Sequence, residues 1–87
     1  MNPVMKRKVY WKGTVKQWKF IAKLSEMTKD ELDMLLMFHD HKDDQFVQDE
    51  LGLNRKAFDL LEESMCTKVY MGILMCVNFS RDNMDLD

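Results

Sequence analysis

The stretch that most constrains this chain is residues 47–61, in which two short amphipathic segments meet at a glycine. Gly52 can adopt a positive φ and end the first segment. Asn54 can cap the second, because its side-chain oxygen can accept a free backbone N–H. Apolar residues stand one turn apart in each segment, with a further one in the turn: Val47 and Leu51, Phe58 and Leu61, and Leu53. This spacing predicts two helices joined by a tight turn, at about residues 44–66.

The composition favours a helical domain around this pair. Only three glycines and one proline occur in 87 residues, whereas a sandwich or barrel with many tight turns needs more. Hydrophobic residues make up 46% of the chain, which is enough to bury a core, and the length fits one domain over residues 1–87. We therefore predict a mainly α-helical protein, a small helical bundle that contains the central helix pair.

Charge is divided unevenly along the chain, although the net charge is only −2. Residues 1–23 hold seven basic residues and no acidic one, and the rest holds six basic and all fifteen acidic residues. This division is typical of a basic, anion-seeking segment on an acidic body. The alternative is that the two halves attract each other within one fold.

A capping box formed by Thr14 and Gln17 predicts a helix over Val15–Leu24. Lysines recur every three or four residues through this region: Lys12, Lys16, Lys19 and Lys23. The last three fall on one stripe along the predicted helix, and Lys12 extends this stripe only if the helix begins earlier. Such a stripe can be an ordinary solvated face. The absence of any acidic residue in the first 23 residues favours phosphate binding, because the exposed face of a solvated helix usually carries both acidic and basic residues.

A second capping box, Thr28 with Glu31, predicts a helix over residues 29–38. The polar stretch that follows contains His39, His41 and three aspartates, which are metal-ligand types. No third ligand is marked out elsewhere in the sequence, so we predict no metal site. The stretch is expected to be a solvated loop in which Asp43 caps the next helix.

Two segments fit either a helix or a strand. Residues 6–11 can continue a helix that starts at Asn2-Pro3, or alternate as a strand. Residues 67–79 are nearly all apolar and fit a buried helix capped by Thr67 or a buried strand. We favour a helix for both, and the alternative is a minor pair of terminal strands.

Several functional classes lack their signatures here. The sequence contains no Gly-rich phosphate loop, nucleophile elbow or paired-cysteine motif, so we predict no enzymatic activity and no cofactor. Cys66 and Cys76 lack zinc spacing. No signal peptide precedes them and no apolar run is long enough for a membrane span, which favours reduced thiols, a cytoplasmic location and no membrane. The acidic residues 80–87 are expected to fray.

Residues 47–61 resemble the helix-turn-helix of sigma-factor region 4 and of many bacterial and phage regulators, with Gly52 at the position of the turn glycine. A narrower similarity, to small double-stranded-DNA-binding proteins of T-even-like phages, rests on Asp49-Glu50-Leu51-Gly52, Lys56, Phe58 and Leu61. The resemblance implies a phage-encoded, DNA-associated protein that acts in transcription.

The chain departs from the helix-turn-helix pattern in two ways. Gln48 stands four residues before the glycine, where the pattern has a small residue, so either the helices splay or Gln48 lies outside. Asn54, Arg55 and Lys56 suit DNA at the start of the second helix. Acidic residues that would repel phosphates follow within two turns: Asp59, Glu62 and Glu63.

Two functions follow from these patterns. The first is a helix-turn-helix protein that binds double-stranded DNA in transcription and contacts it through seven residues: Lys12, Lys16, Lys19, Lys23, Asn54, Arg55 and Lys56. The second is a protein-interaction module, such as a phage-type inhibitor or adaptor, that binds a transcription or other host protein complex without binding DNA. It would use the Met-rich apolar surface and the acidic helix. The oligomeric state stays open.

Overall fold

The computed structural model describes residues 7–76, 79 and 81. Within these residues the chain forms a 3-10 helix and four α-helices: Arg7–Trp11, α1 (Val15–Leu24), α2 (Lys29–His39), α3 (Asp44–Leu51) and α4 (Arg55–Met75). The predicted helical bundle is confirmed. The described residues contain no β-strand, so the alternative of a minor strand pair is not supported there.

The helices begin at the residues that the sequence marked as caps. Thr14 and Thr28 each form a complete capping box. The side chains of Asp43 and Asn54 accept the backbone N–H groups of Phe46 and Ala57, both at 2.8 Å. Gly52 ends α3 at φ 67° and ψ 38°, the left-handed conformation that was predicted. The local signals therefore place the starts of α1, α2, α3 and α4.

The predicted boundary at Cys66 and Thr67 is wrong, because α4 is a single helix of 21 residues. Thr67 caps nothing, since its hydroxyl donates to the carbonyl of Glu63 inside the helix. The segment is also not buried all round: Tyr70 and Leu74 are exposed, while Val69 and Ile73 point into the core. Residues 77 and 78 lie outside the described part of the chain.

Near the N-terminus, the described chain is helical, as favoured, and does not form the alternative strand, although the helix is of the 3-10 type. Arg7–Trp11 is a 3-10 helix, in which Val9 and Tyr10 are both buried and Trp11 is exposed. Burial of two consecutive residues is incompatible with the alternation of a half-buried strand. The expected helix start at Asn2-Pro3 lies outside the described residues, and so does the expected frayed tail at 80–87, except for Arg81.

Buried aromatic rings join the helices in one core. Tyr10 stacks on Phe38 with ring centroids 5.8 Å apart, and Phe38 meets Phe58 edge-on at 6.2 Å. Trp18 lies edge-on to Tyr10 at 6.5 Å and packs against Phe79 at 4.7 Å. The 3-10 helix, α1, α2 and α4 are thus connected through ring contacts, each worth about 0.5–1.5 kcal/mol beyond burial.

Helix α4 is the scaffold of the bundle, since both α1 and α2 pack along it. Helix α1 lies against its C-terminal half, where a Cβ built on Gly72 would lie 2.5 Å from Cγ2 of Ile21. Only a residue without a side chain allows this close approach. Helix α3 is joined to the other end of α4 through the turn at Gly52. The C-terminal half of α4 therefore packs against α1, whereas its N-terminal end is connected to α3.

Candidate interaction surface

The α3–α4 end of the bundle is held by a network of ion pairs. Arg7 donates to the Asp44 carboxylate, and its Nε and Nη2 atoms donate to Glu62 at 2.9 and 2.7 Å. Arg55 donates to the second oxygen of Asp44 at 3.0 Å and lies 3.1 Å from Asp59. Both guanidinium groups also lie over the ring of Phe58. Arg55 is thus engaged with two carboxylates and an aromatic ring.

Protonation states within this network are set by the pairing. Burial alone would raise the pKa of the Asp44 carboxyl, but hydrogen bonds from Arg7 and Arg55 outweigh it and lower that pKa from its ordinary value. Burial would lower the pKa of Arg7, whereas its bonds to Glu62 and Asp44 raise it. Arg7 and Asp44 therefore remain charged near neutral pH.

These contacts occupy most of the residues expected to bind DNA at the start of α4. The side-chain oxygen of Asn54 caps the helix, and Arg55 is paired with Asp44 and Asp59. Lys56 is exposed and forms no ion pair with a described carboxylate. Of the three, Lys56 is the one that a phosphate could reach without displacing a contact.

The lysines of α1 are exposed along one side of the helix, as predicted; we call this set the lysine row: Lys16, Lys19 and Lys23. Within the described chain, none of them forms an ion pair. Lys12 precedes the helix and is half-buried, and its carbonyl accepts the indole N–H of Trp18 at 2.7 Å. The lysine row is therefore a line of three cations available to a partner.

The structure does not bring the two predicted groups of DNA-binding residues together. Helix α1 packs at Gly72, which follows Arg55 by seventeen residues on the same helix. At 1.5 Å per residue this separation is about 25 Å. The lysine row and the start of α4 thus belong to opposite ends of the bundle.

Next to the lysine row lies an apolar surface, whose position the sequence did not reveal although a Met-rich apolar surface was expected. It consists of large hydrophobic side chains on the outer sides of α1 and α4, each at least 36% exposed; we call it the seam surface: Phe20, Leu24, Tyr70, Met71, Leu74 and Met75. Because residues 67–79 were expected to be wholly buried, the exposure of the α4 side chains was not predicted. The uneven exposure of a long helix that packs on one side only could have indicated it.

Four members of the seam surface flank the line along which α1 and α4 pack, whereas Tyr70 and Leu74 lie about 160° around α4 from Gly72 and face away from α1. Phe20 and Leu24 are one turn apart on α1, and Met71 and Met75 are one turn apart on α4. At one end of the seam, a cleft of about 260 Å³ opens between α1 and residues that follow α4, and it is lined by Lys16, Gln17, Phe20, Cys76 and Phe79. The cleft places a cation of the lysine row directly beside an exposed aromatic ring.

A buried carboxylate fixes α4 against α2. Glu31 is almost fully buried, accepts hydrogen bonds from Lys68 and Thr28 N at 2.7 and 2.8 Å, and also accepts one from Ser64. Burial would raise the pKa of Glu31, but these bonds outweigh burial and lower it. The seam surface is therefore presented by a helix that is anchored on its inner side.

The histidines of the predicted polar loop have separate surroundings. His39 Nδ1 lies 2.7 Å from the carbonyl oxygen of Tyr10, and His41 stacks on Trp11 with ring centroids 4.4 Å apart. In the described part of the chain, no group of three or more His, Cys, Asp or Glu residues is placed to hold a metal ion. Neither Cys66 nor Cys76 forms a disulfide bond there.

Comparison of the chain with protein-family models, curated proteins and solved structures gives no match. Among the described helices, none combines the length and the apolar character that crossing a membrane requires. The surface features above are therefore the observations from which function can be inferred.

Proposed function

We propose that this protein is an interaction module that binds another protein through the seam surface, in the manner of a small adaptor or inhibitor. The observation that carries the proposal is the exposure of six large apolar side chains on α1 and α4, four of which flank the line where the two helices pack: Phe20, Leu24, Met71 and Met75. Contiguous apolar patches of this kind on soluble domains mark binding surfaces, because leaving them in water is unfavourable. Methionines on such surfaces adapt to a partner's shape.

The partner is a protein rather than DNA because the apolar surface has no counterpart on a phosphate backbone. Duplex DNA is contacted mainly through phosphate and sugar oxygens and base edges, which reward donors and cations. Burying Met71, Leu74 or Tyr70 against such groups gains little. At the other end of α4, Arg55 would have to exchange Asp44 and Asp59 for a phosphate or a base.

A second copy of this chain fits the surface less well than a different protein does. In a face-to-face dimer, the lysine row of one copy would need carboxylates from the other. Residues 64–75, which supply the α4 half of the seam surface, contain no acidic residue. If α1 met α1 instead, the two lysine rows would oppose each other and repel.

Binding of double-stranded DNA is the second candidate function, and the unpaired lysine row favours it. Titration with a random duplex at low and moderate salt separates the two candidates. Sequence-independent DNA binding requires a dissociation constant of about 10⁻⁴ M or tighter and a steep salt dependence. Replacing Lys16, Lys19 and Lys23 with Gln should then weaken binding to all duplexes and flatten that dependence. The interaction module shows no such affinity at physiological salt.

The proposal is tested by quantitative affinity purification with matched surface variants. Met71 is 53% exposed beside the line where α1 and α4 pack, and Leu60 is 60% exposed on the same helix but about 17 Å away. Met71→Glu should remove the specific partner protein, and Leu60→Glu should retain it. Equal retention by both variants, or equal loss from both, would count against the seam surface as the binding site.

A further inference from the structure

We propose that the partner docks an acidic amphipathic helix along the seam between α1 and α4, with its carboxylates over the lysine row. This inference rests on the proposed function and names the chemistry of the partner. It combines two observations: a line of exposed apolar side chains along the seam, and a line of unpaired cations on the α1 edge of the same surface.

The shape of the surface favours a helix over an extended strand. Two packed helices leave a groove along their line of contact, and exposed pairs flank it on both sides: Phe20 with Leu24 on α1, and Met71 with Met75 on α4. Such a groove accepts the apolar ridge of a third helix. Binding by strand addition requires a free sheet edge, and the described residues contain no sheet.

The charges on the α1 edge favour carboxylates on that helix. Phe20 lies one turn from both Lys16 and Lys23, so a helix that covers the Phe20 ring passes beside these cations. The lysine row has intervals of three and four residues and extends over about 10 Å. On a partner helix aligned with α1, acidic residues at intervals of three and four would place one carboxylate near each lysine of the lysine row. A helix with basic or neutral flanks gains nothing at this edge.

Selection of peptides from a displayed library tests the inference without a known partner. The full-length protein is used to enrich 16-residue peptides of random sequence, and the dissociation constants of the enriched peptides are measured by calorimetry. The expected peptides have apolar residues at helical spacing and acidic residues on one flank. Lys19→Glu with Lys23→Glu should weaken their binding by about tenfold or more. The matched control, Lys8→Glu with Lys56→Glu, makes the same charge change at exposed positions outside the seam surface.

The outcomes separate this inference from the proposed function. If peptides lose binding with Met71→Glu but not with the lysine reversal, the seam surface binds protein and the acidic helix is refuted. If no enriched peptide depends on Met71, both fail. An exchange of the peptides' acidic residues for lysine should restore binding to the reversed variant, and absence of this rescue would overturn the inference. Equally strong, lysine-dependent binding to vesicles rich in anionic lipid would also overturn it, since a membrane would then be the occupant.

Discussion

Arg7 and Glu62 form a two-point ion pair that ties the 3-10 helix to the middle of α4, at 2.9 and 2.7 Å. Glu62 is only 6% exposed, so its carboxylate depends on Arg7 for charge compensation. We predict that Arg7→Ala lowers the free energy of unfolding by about 2–3 kcal/mol, because it leaves a buried charge unpaired. Urea denaturation followed by circular dichroism measures this. The same substitution in a Glu62→Gln background should cost clearly less, and an equal cost would show that the pair contributes nothing.

The contact between Gly72 and Ile21 sets how closely α1 approaches α4. An added Cβ at residue 72 would lie 2.5 Å from Cγ2 and 3.1 Å from the carbonyl oxygen of Ile21, so one helix must move. We predict that Gly72→Ala destabilises the fold by about 1–3 kcal/mol, despite the better helix propensity of alanine. Thermal or urea unfolding checks this. Combining it with Ile21→Ala should cost less than the sum of the two changes. Stabilisation by Gly72→Ala alone would contradict the close packing.

Phe58 joins the central helix pair to the aromatic core, and no part of it is exposed. Phe58→Ala is expected to lower the free energy of unfolding by about 3–5 kcal/mol, through lost burial and the cavity left behind. Leu60→Ala, at a position 60% exposed on the same helix, is the matched control. A loss below about 1 kcal/mol for Phe58→Ala in denaturant melts would show that the ring is not in the core.

Stability should fall on acidification because two paired carboxyls have a lowered pKa in the folded state. The ordinary values are 4.5 for Glu31 and 3.8 for Asp44, and both pKa values are shifted below them. The unfolded chain therefore binds these protons first, and the stabilisation is lost as the pH falls from about 5 towards the folded-state values. Unfolding free energies measured against pH should decrease over this range.

Glu31→Gln isolates part of this pH dependence. The substitution removes the titrating group that pairs with Lys68, so the variant should show a shallower decrease in unfolding free energy below about pH 5. Glu50→Gln, which removes an exposed carboxylate on α3, is the matched control. A slope for Glu31→Gln as steep as that of the unmodified protein would contradict the assignment to Glu31.

The residues at which the helices begin could be predicted from the neighbouring sequence alone. Thr14, Thr28, Asp43 and Asn54 each satisfy an otherwise free N–H from within the next turn, and such bonds depend only on neighbouring residues. The left-handed Gly52 is equally local. For the same reason, the stripe of lysines on α1 could be predicted from spacing alone.

Features decided by tertiary contacts could not be predicted. Thr67 is a plausible cap by type, but the core contacts of Cys66 and Val69 continue the helix through it. Arg55 suits DNA by type and position, yet its carboxylate partner Asp44 lies on another helix. The exposure of Leu74 depends on which side of α4 the other helices cover, and the apolar sequence of residues 67–79 carries no such information.

Site-specific photo-crosslinking in the cells where the protein is naturally made tests the central claim most directly. A photoreactive amino acid replaces Met71 in the seam surface or Leu60 outside it, on the same exposed side of α4. We predict that position 71 yields a discrete covalent adduct with one partner protein and that position 60 does not. Adducts with nucleic acid, adducts of equal yield at both positions, or adducts at position 60 alone would contradict the assignment of the seam surface as a protein-binding site.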